Sequence, residues 1–347
     1  MQPWTSLLSD AGLRLEENRV VSADVSADVT HARNAAIVVP LTHLRLIGAE
    51  GAEATDFLHN LFSNDVKKLT ADSAQWTSFN SPKGRMLANM LLWHAGEGYR
   101  MALSSDIHEG ILKKLRMFVL RTKVSVDGLG ETRALLGVSS ETLAEVLAKA
   151  SLPVPAAPMK CGQRNGTSVI RLDAKRAIID VPAEQLAEVW QQLRAQDLTP
   201  AGTAAWQWLD VQCGIPLVTG PTQEDFVAQM LNYELIGGVN FKKGCYPGQE
   251  IVARTQYLGK LKKRMYRLQG PANQQAQVGD ELFAPAFEAQ AIGKLVTVVP
   301  TPNGGFEALA VLQISAADEG DIHLGAPDGA RLRIAPLPYS LDVAPAQ

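Results

Sequence analysis

The stretch Asn240-Phe241-Lys242-Lys243-Gly244-Cys245-Tyr246-Pro247-Gly248-Gln249-Glu250-Ile251-Val252-Ala253-Arg254 gathers residue types that serve a core poorly and a site well. A thiol stands at its centre, with two lysines before it and a carboxylate and a guanidinium after it. Cations nearby favour a thiolate over a thiol, so an exposed Cys245 is a candidate reactive thiol. Gly244 and Gly248 bracket it and allow backbone angles and close approaches that other residues cannot make. Pro247 fixes its own φ and biases Tyr246 toward an extended conformation, which stiffens the loop. The bland alternative is a tight turn in which Cys245 is a small buried apolar residue. The crowding of Lys, Gly, Cys, Tyr, Gly, Gln and Glu into positions 243–250 favours a site. Residues 249–254 read either as a helix start or as a strand.

Two further groups of residues bear on the same chemistry. Ser81-Pro82-Lys83-Gly84-Arg85 admits two readings: a hairpin turn with solvated charges, or a pocket mouth where Lys83 and Arg85 hold a carboxylate. Between Lys242 and Arg267 there are eight basic residues and one acid, Glu250. That is a local positive patch in a chain whose net charge is −3. It suits a solvated face, a polyanionic ligand with several carboxylates, or an RNA backbone. No aromatic-rich RNA-binding signature accompanies it, so nucleic acid is not expected as a direct ligand. Trp206 and Trp208 offer flat faces for a heterocycle, although tryptophans serve packing more often.

These residues need a scaffold, and 347 residues exceed one ordinary core, so two or three domains are expected. With 46% hydrophobic and 20% charged residues the composition is that of a globular protein. Three scattered cysteines, Cys161, Cys213 and Cys245, form no CxxC pair and suit a reducing, cytoplasmic setting. No apolar run approaches a membrane span, and Met1-Gln2-Pro3-Trp4 does not open a signal peptide.

In chain order, residues 4–15 suit an amphipathic helix, and 22–31 are small and polar without a clear assignment. Residues 36–39 and 41–47 read as strands, and Ala54, Phe57, Leu58 and Leu61 keep helical spacing. Strands are expected at 75–79, 86–93 and 99–103, and a helix at 107–120 with Ile111, Leu115, Phe118 and Val119 on one face. Next come 124–126 and 134–138 (strands), 141–148 (helix), 167–172 and 177–180 (strands) and 183–196 (helix). From residue 134 that order is β-α-β-β-α, the pattern of a ferredoxin-like half. Cys161 falls in a loop rich in proline. A helix at 203–211 delivers Gly214-Ile215-Pro216. Beyond residue 264, short segments at 265–268, 281–283, 291–299, 306–314 and 331–334 read as a small antiparallel barrel or sandwich.

Lys243-Gly244-Cys245-Tyr246-Pro247-Gly248-Gln249-Glu250 resembles the K-G-C-Y-x-G-Q-E signature of the YgfZ family. Those are folate-binding proteins related to the glycine-cleavage T-protein and to mitochondrial iron–sulfur assembly factors. Gly214-Ile215-Pro216 with Phe226, Gln229, Asn232 and Gly237-Gly238 resembles the family's G-I-P…F-x-P-Q-x-x-N…G-G run, and residues 81–85 match its S-P-K-G-R turn. The resemblance reaches from about residue 41 to the C-terminus and is weakest between 135 and 200.

The resemblance implies an α+β, T-protein-like multidomain architecture: two ferredoxin-like α/β domains plus a C-terminal small antiparallel β-barrel. The expected division is 1–120 with 200–262 as a discontinuous folate-binding domain, 121–199 as a ferredoxin-like domain and 263–347 as the barrel. The implied ligand is tetrahydrofolate or a related reduced folate, contacted by Ser81, Lys83, Gly84, Arg85, Asn232, Lys243, Gly244, Tyr246, Gly248, Gln249, Glu250 and Arg254. The implied role is support of iron–sulfur cluster assembly or repair in client enzymes, with a link to tRNA modification and Cys245 as the reactive thiol. The implied partners are folate and iron–sulfur client or assembly proteins, and the chain is expected to be a monomer. A folate-dependent one-carbon transferase and a non-catalytic scaffold are the alternatives. T-protein enzymes carry paired aspartates after the glycine turn, whereas residues 84–89 here offer no carboxylate, which argues against aminomethyl transfer. The chain also departs from the family where R-x-E-x-G-I-P reads Asp210-Val211-Gln212-Cys213-Gly214-Ile215-Pro216, and where Ala228 replaces a proline.

Overall fold

A computed structural model describes residues 4–257, 259, 261–272 and 274–341. The first three residues, Lys260 of the basic stretch and the last six residues therefore lie outside the described residues. The chain divides into two compact units: Met1–His59, Asp65–Trp76 and Met90–Trp206 form one, and Asn60–Asn64, Thr77–Asn89 and Gln207–Gln347 form the other.

In the first unit, the expected helix at 4–15 is shorter than its apolar pattern suggested. Thr5–Asp10 is helical, but Gly12, at φ +70°, ends it, and Leu13–Glu16 pairs antiparallel with Arg19–Ser22. The small polar stretch after it is the helix Val25–Asn34, started by Asp24, whose side chain accepts from the Ala27 N–H at 3.0 Å. One sheet runs in the order Cys161–Arg164, Thr167–Arg171, Arg176–Pro182, Arg133–Ser139, Ile37–Pro40, Thr199–Pro200, antiparallel except for its last pair. Cys161 thus opens an edge strand rather than sitting in a loop, and the β-α-β-β-α order gains a strand. The helices Leu143–Lys149 and Leu186–Arg194 give this sheet its core: Val146, Leu147, Val189 and Leu193 pack with Val138, Val169 and Ile179. The second sheet has the order Ala74–Asn80, Met86–Ala95, Gly98–Ser104, Leu44–Glu50, Ser125–Gly128, and the division between units runs through its first two strands.

Asp180 is fully buried in the first unit, which is costly for a charge unless it is paired. Arg133 Nε donates to it at 2.5 Å and the Arg100 guanidinium closes the other side. Trp206 is held here as well: a Cβ at Gly137 would come within 2.5 Å of its ring, and the Arg176 guanidinium lies 5.6 Å from its ring centre. That burial makes Trp206 a core residue with no face left for a heterocycle.

In the second unit, Lys263–Gly270, Phe306–Gln313, Gly293–Pro300, Glu281–Phe283, Ile322–Leu324 and Ala330–Ala335 close into a barrel. Its interior is filled by Leu268, Leu282, Leu295, Ala308, Ala310, Leu312 and Leu332, so it is a packed core rather than a cavity. The strand Ile322–Leu324 has too few residues to show a pattern in the sequence. No helix among the described residues is long and apolar enough to cross a membrane.

Candidate functional site

The turn at 81–85 and the loop at 243–250 both lie in the second unit and meet through their glycines. Ser81 and Arg85 close the turn: the Ser81 N–H donates to the Arg85 carbonyl at 2.8 Å and the Gly84 N–H to the Ser81 carbonyl at 2.9 Å. Gly84 and Gly248 both have positive φ, +72° and +76°. A Cβ at Gly248 would lie 2.5 Å from Gly84 Cα and 2.6 Å from the Ser81 carbonyl oxygen. Real Cβ contacts are never that short, so the two backbones touch only because both positions are glycine. A Cβ at Gly84 would also press on Ile251, at 3.0 Å. Two motifs more than 150 residues apart are therefore one surface.

The loop runs into a helix, not a strand: Gln249–Tyr257. The Gln249 N–H bonds the Tyr246 carbonyl and its Nε2 reaches the Lys243 carbonyl at 3.3 Å, tying the loop to the helix. Gln229 Nε2 donates to the Val252 carbonyl at 2.7 Å and holds the helix from beneath.

The predicted site residues fall into two groups. Lys243 is only 8% exposed; its Nζ donates to the Phe62 carbonyl at 2.5 Å and lies 4.8 Å from the centre of the Tyr246 ring. It braces the loop rather than offering a charge to a ligand. Tyr246 is buried, and burial pushes its hydroxyl well above the usual phenol range. Asn232 is fully buried in the left-handed region at φ +56°; its Nδ2 donates to the Met265 carbonyl at 2.8 Å and its Oδ1 accepts from Arg264. Arg85 extends to the Asp225 carbonyl, and its backbone bridges to Val227. These four are framework.

The second group faces outward. Lys83, Gly244, Cys245, Glu250 and Arg254 are exposed, as is Lys242. Among the described residues none of the three cations makes an ion pair, consistent with a surface waiting for an anion. Of the three cysteines, Cys245 is exposed, Cys213 is half-buried and Cys161 is buried, with burial pushing the Cys161 thiol up to about 12. A thiol must be accessible to react, so exposure singles out Cys245.

The structure adds residues that the sequence did not single out. Asn80, immediately before the turn, is 1% exposed and its Nδ2 lacks a partner among the described residues; Gln229 Oε1 and Trp208 Nε1 are likewise buried without one there. Buried polar atoms are nearly always satisfied, so such groups call for an explanation. They are donors and an acceptor of the kind a fused heterocycle needs, and so fit a pterin in kind. Asn89, at the end of the stretch 84–89 that carries no carboxylate, is fully used: Nδ2 donates to the Pro216 carbonyl and Oδ1 accepts from the Val218 N–H, each at 2.7 Å. It clamps the Gly214-Ile215-Pro216 segment.

No protein-family model matches the chain. It is 27% identical over 313 residues to the tRNA-modifying protein YgfZ of Pectobacterium carotovorum subsp. carotovorum (strain PC1), covering 89% of this chain and 93% of that protein. The protein of that name from Yersinia enterocolitica serotype O:8 / biotype 1B is 28% identical over 309 residues, with 88% and 92% covered. The chain is homologous to the YgfZ proteins. Among solved structures, glycine cleavage system aminomethyltransferase T from Bartonella henselae superposes with a TM-score of 0.82 over 97% of this chain and 96% of that one, at 18% identity. The T-protein-like α+β fold read from the sequence is thus borne out, and so is the closed barrel near its C-terminal end.

Proposed function

We propose that this chain is a folate-binding factor that supports assembly or repair of iron–sulfur clusters in cytoplasmic client enzymes, among them enzymes of tRNA modification. The observation that carries the reading is the contact of Gly84 with Gly248, which joins the 81–85 turn to the cysteine loop in one surface. On it, the unpaired cations Lys83, Lys242 and Arg254 receive the carboxylates of a glutamyl tail, and the buried amides of Asn80 and Gln229 supply a donor and an acceptor for the pterin. A reduced folate brings one-carbon and redox chemistry when bound. The chain contributes orientation, charge and one accessible thiol, Cys245. Relatives named for tRNA modification support the client class. The absence of any carboxylate across residues 84–89 weighs against aminomethyl transfer. The division into 1–120 with 200–262, 121–199 and 263–347, and the monomeric state, belong to the same proposal.

Calorimetric titration with mono- and polyglutamylated tetrahydrofolate tests the reading. The expected result is saturable binding that tightens with added glutamates, weakens with salt, and is reduced several-fold in Lys83→Ala and Arg254→Ala. No saturation with any reduced folate would refute it.

A further inference from the structure

On the helix Gln249–Tyr257 the exposed residues Glu250, Ile251, Arg254 and Tyr257 recur at helical spacing and form one outward stripe. Ile251 is 40% exposed and Tyr257 52%, two large apolar side chains on a nine-residue helix. Phe241 meets Tyr257 edge to face, with ring centres 6.0 Å apart and planes at 73°. That contact fixes the Tyr257 ring while leaving much of it open. Cations adjoin the pair along the chain: Lys242 follows Phe241 and Arg254 precedes Tyr257 by one helical turn, while Lys83 stands on the turn whose Gly84 abuts Ile251. Lys262 and Lys263 come just after the helix. None of these five makes an ion pair among the described residues, and Glu250 is the one acid of this stretch.

We infer that this face, Phe241 and Tyr257 with Lys242, Arg254, Lys262 and Lys263, docks a single-stranded nucleic acid segment, such as the loop of a structured RNA. A fixed but open aromatic ring accepts the face of an unpaired base, and separated lysines and arginines track the phosphates. A duplex has its base faces stacked away, so it satisfies only the cations. A membrane surface would need a broader apolar face than Ile251 and one tyrosine provide. The sequence hides the platform because Phe241 and Tyr257 lie sixteen positions apart and meet only when the helix forms. The inference goes beyond the folate reading and does not depend on it.

Fluorescence anisotropy of the full chain with a labelled single-stranded RNA 12-mer, and with the same sequence as a duplex, tests it across a potassium chloride series. The single strand is expected to bind more tightly than the duplex. Four phosphate contacts predict a log–log salt slope of about −3. Tyr257→Ala should weaken binding about tenfold, the scale of one lost base stack, while Tyr257→Phe retains it. Lys262→Ala should reduce the slope by about 0.7. Equal affinity for duplex and single strand, an unaltered Tyr257→Ala, or retention only on phosphatidylserine vesicles would overturn the inference. Tetrahydrofolate titration of Tyr257→Ala separates the two proposals: a normal folate isotherm beside lost RNA binding supports this one. Wild type that binds folate but no RNA leaves the folate reading standing and removes this one.

Discussion

Around Asp180 in the first unit, a fully buried carboxylate is shared between two half-buried guanidinium groups: Arg100 and Arg133 take one oxygen each. Around Cys245 in the second unit, Lys83, Lys242 and Arg254 face outward with no carboxylate to hold them among the described residues. Both neighbourhoods are rich in charge, yet only the first uses it to build the fold. Buried charges must be paired because desolvation is costly, whereas exposed ones cost little and stay available to a ligand. Lys243 shows the same rule inside the loop itself. Buried, it gives its ammonium to the Phe62 carbonyl, while Lys242, one residue earlier and exposed, keeps its own for solvent or a ligand.

This contrast is breakable, beginning where the effect is largest. Asp180→Ala removes the carboxylate shared by two half-buried guanidinium groups and should cost about 3 kcal/mol in urea unfolding. A loss below about 1 kcal/mol would mean that the pair is not needed.

His43, buried in the same unit, is held neutral, its pKa pushed down to about 3 by desolvation and by the nearby Arg19 charge. Its unfolded value is near 6.5, so below that pH the unfolded chain takes up a proton that the folded chain refuses. Stability therefore falls as pH drops from about 6.5 toward 3, by ~1.4 kcal/mol per pH unit from this residue. His43→Gln should flatten that part of the pH profile, and an unchanged slope would show that other groups govern it.

Gly248→Ala places a methyl 2.5 Å from Gly84 Cα at a φ of +76°. A loss of about 1–3 kcal/mol in the melting curve is expected, together with weakened folate binding, because the two loops must separate. Lys243→Met keeps the stem but leaves the Phe62 carbonyl without its donor, at about 1–3 kcal/mol. If Lys243→Met proved neutral for stability but abolished folate binding, this lysine would belong with the outward group after all.

Cys245→Ala marks the small end of the scale. The residue is exposed, so the change should stay within about 0.5 kcal/mol of wild type. In the wild-type chain, Cys245 should alkylate first and Cys161 last, read by mass spectrometry of labelled peptides. Equal labelling of all three thiols would erase the distinction between the two neighbourhoods where it matters chemically.

Local pattern in the chain was enough to determine a good deal. Helical spacing of Ile111 and Leu115 matches the helix His108–Val119, and β-branched runs match the strands Ile37–Pro40 and Arg176–Pro182. The dense 243–250 motif and the 81–85 turn marked the site region because turns demand particular residues that few alternatives can replace. Short or weakly patterned pieces were not legible: the helix Val25–Asn34 has little amphipathic contrast, and Ile322–Leu324 is three residues long. Which charges serve the fold and which stay open was decided only by tertiary structure. Lys242 and Lys243 are identical in type and adjacent in sequence, and what separates them is the carbonyl of Phe62, 181 residues away in the chain. The same holds for Gly84 against Gly248 and Phe241 against Tyr257. Burial and contact are properties of the folded surroundings, and a list of neighbours in one dimension does not contain them.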